Sequence, residues 1–358
     1  MYLTGMIHAM PASPSLVPIF ERVPHRSLQR CLHIRGYTSR NTMEVISLME
    51  KQSTDFDSKS AEHRLQVENG TGAKSIAGSV VALGKFDALH IGHRALAIQA
   101  SRMGPPVLLS FSGMAEVLQW EKRLPVVASC DRKRVMKLWS LLCGGKTPQE
   151  YHLEFAKIRQ LSPYAFVERL AKELMVKGVV AGANYRFGFK AAGDASDLVQ
   201  LCGKFGLQVH IVNPVMDEES KLQEESKELE TDSREMGQVS STRVRKSLAT
   251  GDIKHATELL GREHRLILLI EGSDVNSQVV HVQTSNALNQ FPTDGLYRAR
   301  LCLGVGISYE EANVTNWMSG LLKIEDKHVL VSPENGCFPT GLIGKSLVCI
   351  DLQSRISV

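Results

Sequence analysis

The sequence predicts a doubly wound α/β domain on a parallel sheet, followed by a small β-barrel-like domain. Three observations carry this. From residue 76 to about residue 265, apolar runs of four or five residues alternate with amphipathic segments, the rhythm of strand–helix–strand units. After Arg265 that rhythm stops, and short β-rich runs follow one another between turn residues. Between the first apolar run and the first amphipathic one lies a glycine-bearing turn, Gly84-Lys85-Phe86-Asp87-Ala88-Leu89-His90-Ile91-Gly92-His93.

The elements follow in order. Val80-Val81-Ala82-Leu83 reads as a buried strand and residues 94–100 as the helix after it. Residues 107–111 read as a second buried strand. Residues 131–139 read as an amphipathic helix with Asp131 as N-cap, its cationic run Arg132-Lys133-Arg134 on the surface. Ser162 is expected to cap a helix that has Pro163 at its first position. Residues 178–182 form a short strand that delivers Asn184, residues 198–205 a helix closed by Gly206, and residues 207–212 a further strand. From Asp217 to Glu235 nine acids stand against three bases with almost nothing apolar, which predicts a solvated insertion. Beyond Arg265, residues 266–270, 279–283, 295–301, 329–331 and 346–350 read as strands.

The whole chain bounds the rest. Its 358 residues are 43% hydrophobic and 22% charged, which is ordinary for a globular protein. A net charge of +4 is too small to argue for nucleic acid, and no apolar run is long enough for a membrane span. The first forty-three residues differ from the remainder: Arg22, Arg26, Arg30, Arg35 and Arg40 face a lone acid, Glu21, among several serines. That composition reads as an organelle transit peptide, and the missing apolar core argues against secretion. Composition alone does not separate chloroplast from mitochondrion. The expected organisation is a transit peptide at 1–43, a linker at 44–75, an α/β domain at 76–265 with its acidic insertion at 217–235, and a β domain at 266–358. Seven scattered cysteines with no Cys-x-x-Cys pair signal neither a zinc site nor a redox dithiol.

A strand, a glycine turn and a helix are where α/β proteins bind phosphates, because the first peptide N–H groups of the helix point outward and carry partial positive charge. Gly84 is expected to supply positive φ, or to leave room for a ligand, at the strand end. Gly92 is expected to let the backbone approach a phosphate. His90 and His93, three apart, share a helical face. Paired imidazoles there offer hydrogen-bond donors to a phosphate whose charge is rearranging, so the turn points to chemistry on a nucleotide phosphate.

The pattern Gly84-x-Phe86-Asp87-x-x-His90-x-Gly92-His93 resembles the His-x-Gly-His signature of the nucleotidylyl transferases, which are built on a Rossmann-like sheet. Val179-Val180-Ala181-Gly182-Ala183-Asn184-Tyr185-Arg186-Phe187-Gly188 and Ser240-Ser241-Thr242-Arg243-Val244-Arg245 are similar to two segments of the FAD synthetases. Gly251-Asp252 and Leu260-Gly261-Arg262 continue the likeness, which covers about residues 76 to 265. The resemblance implies transfer of AMP from ATP to FMN, giving FAD and pyrophosphate, with Mg2+ as the expected ion. It implies that His90 and His93 contact the ATP phosphates, and that Gly84, Phe86 and Asp87 shape the adenine and ribose side, with Gly92 beside the phosphates. It further implies that Asn184 places magnesium or phosphate, that Ser241 and Thr242 bind the β and γ phosphates, and that Arg245 points back to neutralise the leaving pyrophosphate. His90, His93 and Arg245 are the expected catalytic residues. The chain resembles the plastid FAD synthetases of plants, which tilts the expected address from mitochondrion toward chloroplast.

Departures are informative. Ala88 stands where the family has glycine. The run Ser110-Phe111-Ser112-Gly113-Met114 lacks the family's aromatic and His-Pro after the second strand, so no FMN contact is carried over. In bifunctional members the C-terminal barrel is a riboflavin kinase, and residues 291–297 are similar to one of its strands. Its Gly-Arg-x-x-Gly-x-Pro-Thr-Ala-Asn sequence is absent near residues 271–287, where Gly272-Ser273-Asp274-Val275-Asn276-Ser277 stands, so no riboflavin kinase activity is expected. The first block alone is shared with transferases acting on pantetheine phosphate, nicotinate mononucleotide or lipid head groups. A flavin-binding regulatory module with a dead site is a further alternative.

Overall fold

The structure, a computed structural model, describes residues 75–121, 123–217, 237–271, 274, 278–304, 317–338 and 345–357. The expected transit peptide, all but the last residue of the expected linker, and residues 218–235 lie outside the described residues.

Five parallel strands form the first sheet in the order β3-β2-β1-β4-β5. They are β1 (Val80–Leu83), β2 (Pro106–Ser112), β3 (Gln149–Glu154), β4 (Gly178–Gly182) and β5 (Gln208–Val212). Strand β1 is buried along its whole length. Its alternate residues enter two cores: Val81 and Leu83 pack with Leu109, Val179 and Phe166, while Val80 and Ala82 pack with Leu96, Leu108 and Trp139. That is the period-two division of a strand covered by helices on both faces. Helix α1 (Ile91–Met103) follows β1; α2 (Met114–Val117) and α3 (Arg132–Trp139) follow β2. Helices α4 (Phe155–Ile158) and α5 (Pro163–Glu168) follow β3, and α6 (Ala195–Lys204) joins β4 to β5. Strand order reverses between β1 and β4, and the carboxyl ends there form the crevice where doubly wound sheets bind ligands.

Several local expectations hold. The Ser162 hydroxyl accepts from the Ala165 amide at 3.1 Å with Pro163 in the first turn. Gly206 follows α6 at φ +70°. Others need correction. Helix α6 starts at Ala195, earlier than expected, because Asp194 and Asp197 form a reciprocal capping box. Asp131 makes no cap bond; its buried carboxylate instead takes Arg134 at 2.6 Å. Arg132 is largely buried and not a surface residue: its Nε donates to Glu150 at 2.8 Å and its Nη2 to the Phe86 carbonyl at 2.8 Å. Strand β3, Gln-Glu-Tyr-His-Leu-Glu, escaped sequence reading because an edge strand half open to water carries no apolar run.

Helices α7 (Ser241–Thr250) and α8 (Ile253–Leu260) lead into the second sheet. Gly251 at φ +75° ends the first, and the Asp252 carboxylate caps the second by accepting from the His255 amide at 3.0 Å. Six antiparallel strands then run in the order β6-β11-β8-β9-β10-β7. These are β6 (Arg265–Ile270), β7 (Val280–Gln283), β8 (Gly295–Gly304), β9 (Met318–Glu325), β10 (His328–Pro333) and β11 (Ser346–Ile356). The chain after β7 returns to β6: the Leu288 amide donates to Ile267 O at 2.9 Å and the Asn286 side chain to Leu269 O at 3.0 Å. The sheet is thereby nearly closed into a barrel. Val244, Leu248, Leu259 and Leu260 of α7 and α8 share one core with Leu268, Tyr297, Leu322 and Val348 of the barrel. Among the described residues no helix is long and apolar enough to cross a membrane.

Candidate active site

A cavity of about 160 Å³ opens at the crevice between β1 and β4. Its walls include Gly84, Gly92 and His93 from the first turn, Asn184 and Tyr185 after β4, Asn213 to Val215 after β5, and Gln238 with Val239 before α7.

The first turn is an unusual piece of backbone. Phe86 and Leu89 both adopt positive φ, 46° and 48°, a region that costs non-glycine residues energy. Ala88 is not among the positive-φ residues, so its methyl sits where the family glycine would without strain. Carbonyls of the turn are tied down by two arginines. Arg132 holds Phe86 O, while Arg262 holds Leu89 O at 2.7 Å and Ala88 O at 3.0 Å. Gly84 is not in the positive-φ set; a Cβ there would lie 3.1 Å from the Phe86 ring. Its smallness accommodates Phe86, which corrects the expectation of positive φ. Phe86 itself is fully buried, its ring 5.0 Å from that of His93, so it supports the histidine and does not wall the cavity.

His90 is the N-cap of α1, its Nδ1 accepting from the His93 amide at 3.3 Å. A neutral ring with Nδ1 as acceptor carries its proton on Nε2. The two imidazoles stack, centroids 3.7 Å apart and 18° from parallel. Gly92 permits this: a Cβ would meet His90 Cε1 at 3.0 Å and Nδ1 at 3.1 Å. Burial, then the Arg262 charge, push the His90 pKa down to about 4, against a smaller raising effect of Asp87. Burial, then His90, Arg132 and Arg262, hold His93 well below the usual imidazole range. Both rings are neutral near pH 7. His93 Nδ1 is buried without a hydrogen-bond partner among the described residues. An unpaired buried nitrogen costs about 1–3 kcal/mol, and a bound ligand or water beside it would relieve that.

Asn184 is exposed, and its Nδ2 donates to Gln238 Oε1 at 3.1 Å, leaving its own oxygen as a neutral ligand atom. Ser240, not Ser241, caps α7 by accepting from the Arg243 amide at 3.3 Å. Ser241 and Thr242 therefore occupy the first turn, where backbone N–H groups lack intrahelical partners. One residue, Ser240, separates them from the lining residues Gln238 and Val239. Arg245 lies outside the lining and does not point back at the cavity. Its Nη2 donates to Asp87 at 2.9 Å and to Leu124 O at 2.8 Å, and its Nη1 to Gln290 Oε1 at 2.5 Å. Asp87 is turned toward this guanidinium, its other oxygen accepting from the Val126 amide at 3.4 Å, and it is not among the residues lining the cavity.

Asp217 was expected in the solvated insertion. It is 5% exposed, and its Oδ2 accepts from Arg243 at 2.6 Å and from His255 Nε2 at 2.9 Å. Its amide donates to Gly237 O at 2.6 Å, so the two ends flanking residues 218–236 are fastened together beside α7.

Sequence reading missed Arg132, Arg262, Gln238 and Asp217. Their role is to hold backbone and side chains from a distance in the chain, for which spacing offers no signal. Arg262 alone stood in a recognised block. Among the described residues no group of three His, Cys, Asp or Glu could hold a metal ion. At the cavity wall Asn184 offers one neutral oxygen, a donor of the kind magnesium takes.

Comparison with known proteins adds the following. Residues 73–226 match the FAD synthetase family. FAD synthetase 2, chloroplastic, from Arabidopsis thaliana is 54% identical over 249 residues, 69% of this chain and 66% of that protein. FAD synthetase 1, chloroplastic, from the same plant is 54% identical over 230 residues, 64% of this chain and 65% of that protein. The alignments thus span just under two thirds of these relatives' length. A bifunctional riboflavin kinase/FMN adenylyltransferase of Listeria monocytogenes is 28% identical over 58% of this chain and 61% of its own. The crystal structure of a macrolide-efflux protein from Streptococcus pneumoniae superposes with a TM-score of 0.59 at 22% identity, covering 80% of this chain and 88% of that one; it speaks for the fold alone.

Proposed function

The chain belongs, through residues 73–226, to the FAD synthetase family, and from that premise we propose that it is an FMN adenylyltransferase. An FMN phosphate oxygen attacks the α-phosphorus of ATP in line. The new P–O bond forms as the bond to the β-phosphate bridging oxygen breaks, and pyrophosphate leaves. The substrate is its own nucleophile, so the protein supplies alignment and charge stabilisation. The observation that carries this reading is His93 in the wall of the cavity at a doubly wound switch point, with His90 stacked behind it.

The neutral His93 imidazole offers an N–H bond to a phosphate oxygen there. His93 lines the cavity, and His90 orders it from behind. Ser241 and Thr242 offer backbone N–H groups and hydroxyls to the β and γ phosphates at the start of α7. Asn184 would offer one neutral oxygen to a phosphate-bound magnesium ion, which would neutralise phosphate charge. Arg245 acts on the same chemistry through Asp87 and the histidine turn. The missing Pro-Thr-Ala-Asn sequence in the barrel supports adenylyl transfer without riboflavin phosphorylation. The chloroplast names of the plant relatives, with the arginine-rich N-terminus, support a plastid address.

The test is product analysis by liquid chromatography. The chain lacking residues 1–43 is expected to convert FMN to FAD with ATP and magnesium and to leave riboflavin unphosphorylated. His93→Ala should cut turnover by about two orders of magnitude, as removal of a transition-state donor does. No FAD from the parent protein, or full turnover in the variant, refutes the assignment; FMN formed from riboflavin refutes the barrel reading.

A further inference from the structure

We propose that the C-terminal barrel takes part in adenylyl transfer through Gln290, a positioning residue that acts through Arg245 and Asp87 on the histidine turn. The inference rests on the adenylyltransferase reading and concerns how its site is held.

Gln290 lies between β7 and β8. Its backbone is fastened independently of its side chain: the amide donates to Pro125 O at 2.8 Å, and the carbonyl accepts from His264 Nε2 at 2.7 Å. The preceding Asn289 is fully buried, donates to Val126 O at 3.0 Å and Arg265 O at 2.8 Å, and accepts from the Ile267 amide at 2.9 Å. Two adjacent residues therefore stitch the barrel to the 124–128 segment of the first domain. The Gln290 side chain is left free for one task. It closes on Arg245 twice, its Oε1 accepting from Nη1 at 2.5 Å and its Nε2 donating to the Arg245 carbonyl at 3.5 Å.

A guanidinium is planar, so holding two edges fixes its orientation. Gln290 holds one edge of Arg245, and Asp87 accepts from the other through Nε at 3.3 Å and Nη2 at 2.9 Å. Asp87 stands three residues before His90, between the two positive-φ residues Phe86 and Leu89. Strained backbone of this kind persists only where its surroundings over-determine it. Arg132 and Arg262 grip the carbonyls of this turn; Arg245 grips its one carboxylate. Gln290 is the barrel's side-chain hold on that carboxylate's partner.

The experiment compares the full chain with Gln290→Ala and Gln290→Glu, reading FAD formation and backbone hydrogen exchange by mass spectrometry. Gln290→Ala should lower kcat by about tenfold while KM for FMN stays within about twofold, because a loosened turn misplaces the histidines without removing a substrate contact. Exchange in the peptide spanning residues 84–93 should rise, with barrel peptides unchanged. Gln290→Glu keeps the acceptor for Nη1 and should retain kcat within about threefold. Unchanged kcat in Gln290→Ala, unchanged exchange at 84–93, or exchange rising throughout the barrel each overturns the proposal. A parent protein that makes no FAD refutes the adenylyltransferase reading instead, and the exchange arm then still decides whether Gln290 controls the turn.

Discussion

Asp87 and Arg245, 158 residues apart in the chain, meet in an ion pair of 2.9 Å that joins the histidine turn to the helix carrying Ser241 and Thr242. The pair is partly exposed, so its charge attraction alone is modest. Its geometry is more specific: one guanidinium serves Asp87, Gln290 and a backbone carbonyl at once. Lysine keeps the charge but cannot span three acceptors in a plane. Arg245→Lys is expected to lower kcat/KM for FAD formation by about ten- to a hundredfold with the fold intact. Parent-like kinetics in that variant would mean the charge alone suffices.

Gly92 makes a second prediction. The His90 ring lies where an alanine methyl would go, at 3.0 and 3.1 Å from two of its atoms. Gly92 is absent from the positive-φ set, so strain does not arise from φ. Gly92→Ala should therefore displace His90 from the stack and from the His93 amide it caps. The expected cost is about 1 kcal/mol of stability, the worth of a cap, and a larger loss of turnover, about tenfold or more. Urea unfolding and steady-state rates measured on one preparation separate the two. Equal, small losses in both would show that the ring stack carries no catalytic weight.

The fold was legible wherever a strand is buried on both faces. β1, β2 and β4 are near-continuous apolar runs, Ser162 and Pro163 marked the start of α5, and Gly206 marked the end of α6. The site was legible where local segments build it: Gly92, His93 and Asn184 line the cavity and His90 stacks on His93, with no long-range information needed. What escaped is long-range. The polar β3 exists because β2 offers an edge. Arg132 looked like a surface cation because its acceptors, Glu150 and Phe86 O, are distant in sequence. Asp217 looked solvated because its neighbours in sequence are acids, while its neighbours in space are Arg243 and His255.

The buried histidines predict how stability depends on pH. Burial pushes His264 and His90 down to about 4, while in the unfolded chain each returns to the ordinary value near 6.5. Between those values the unfolded chain binds more protons than the native one, so acid favours unfolding. Their contribution is fully present above pH 6.5 and is lost as pH falls toward 4, on the order of 3 kcal/mol for each ring. Urea midpoints should fall steadily from pH 7 to pH 5. His264→Gln should flatten that fall, since an amide can still donate to Gln290 O without titrating. A midpoint that does not move over this range would mean that neither ring is desolvated in the native state.

Asp217 carries the last prediction. Its carboxylate is 4% exposed and answers two cationic or donor groups, Arg243 on α7 and His255 on α8, whose other ring nitrogen lies 2.9 Å from the buried Ser247 hydroxyl. Removing the carboxylate takes away the acceptor that Arg243 and His255 share. Arg243 is 27% exposed, so water recovers part of the loss, and Asp217→Ala should cost about 2–3 kcal/mol rather than the full 3–5 of a wholly buried pair. Asp217→Asn keeps one oxygen as acceptor and should cost about half as much. The loss should also reach the site, because Val215 and Val239 beside the Asp217 stem both line the cavity, joined by a 2.9 Å backbone bond. ATP affinity measured by calorimetry should fall in step with stability across Asp217→Asn and Asp217→Ala. Variants destabilised to that extent but binding ATP like the parent would show that the Asp217 cluster supports the helices alone and leaves the cavity wall untouched.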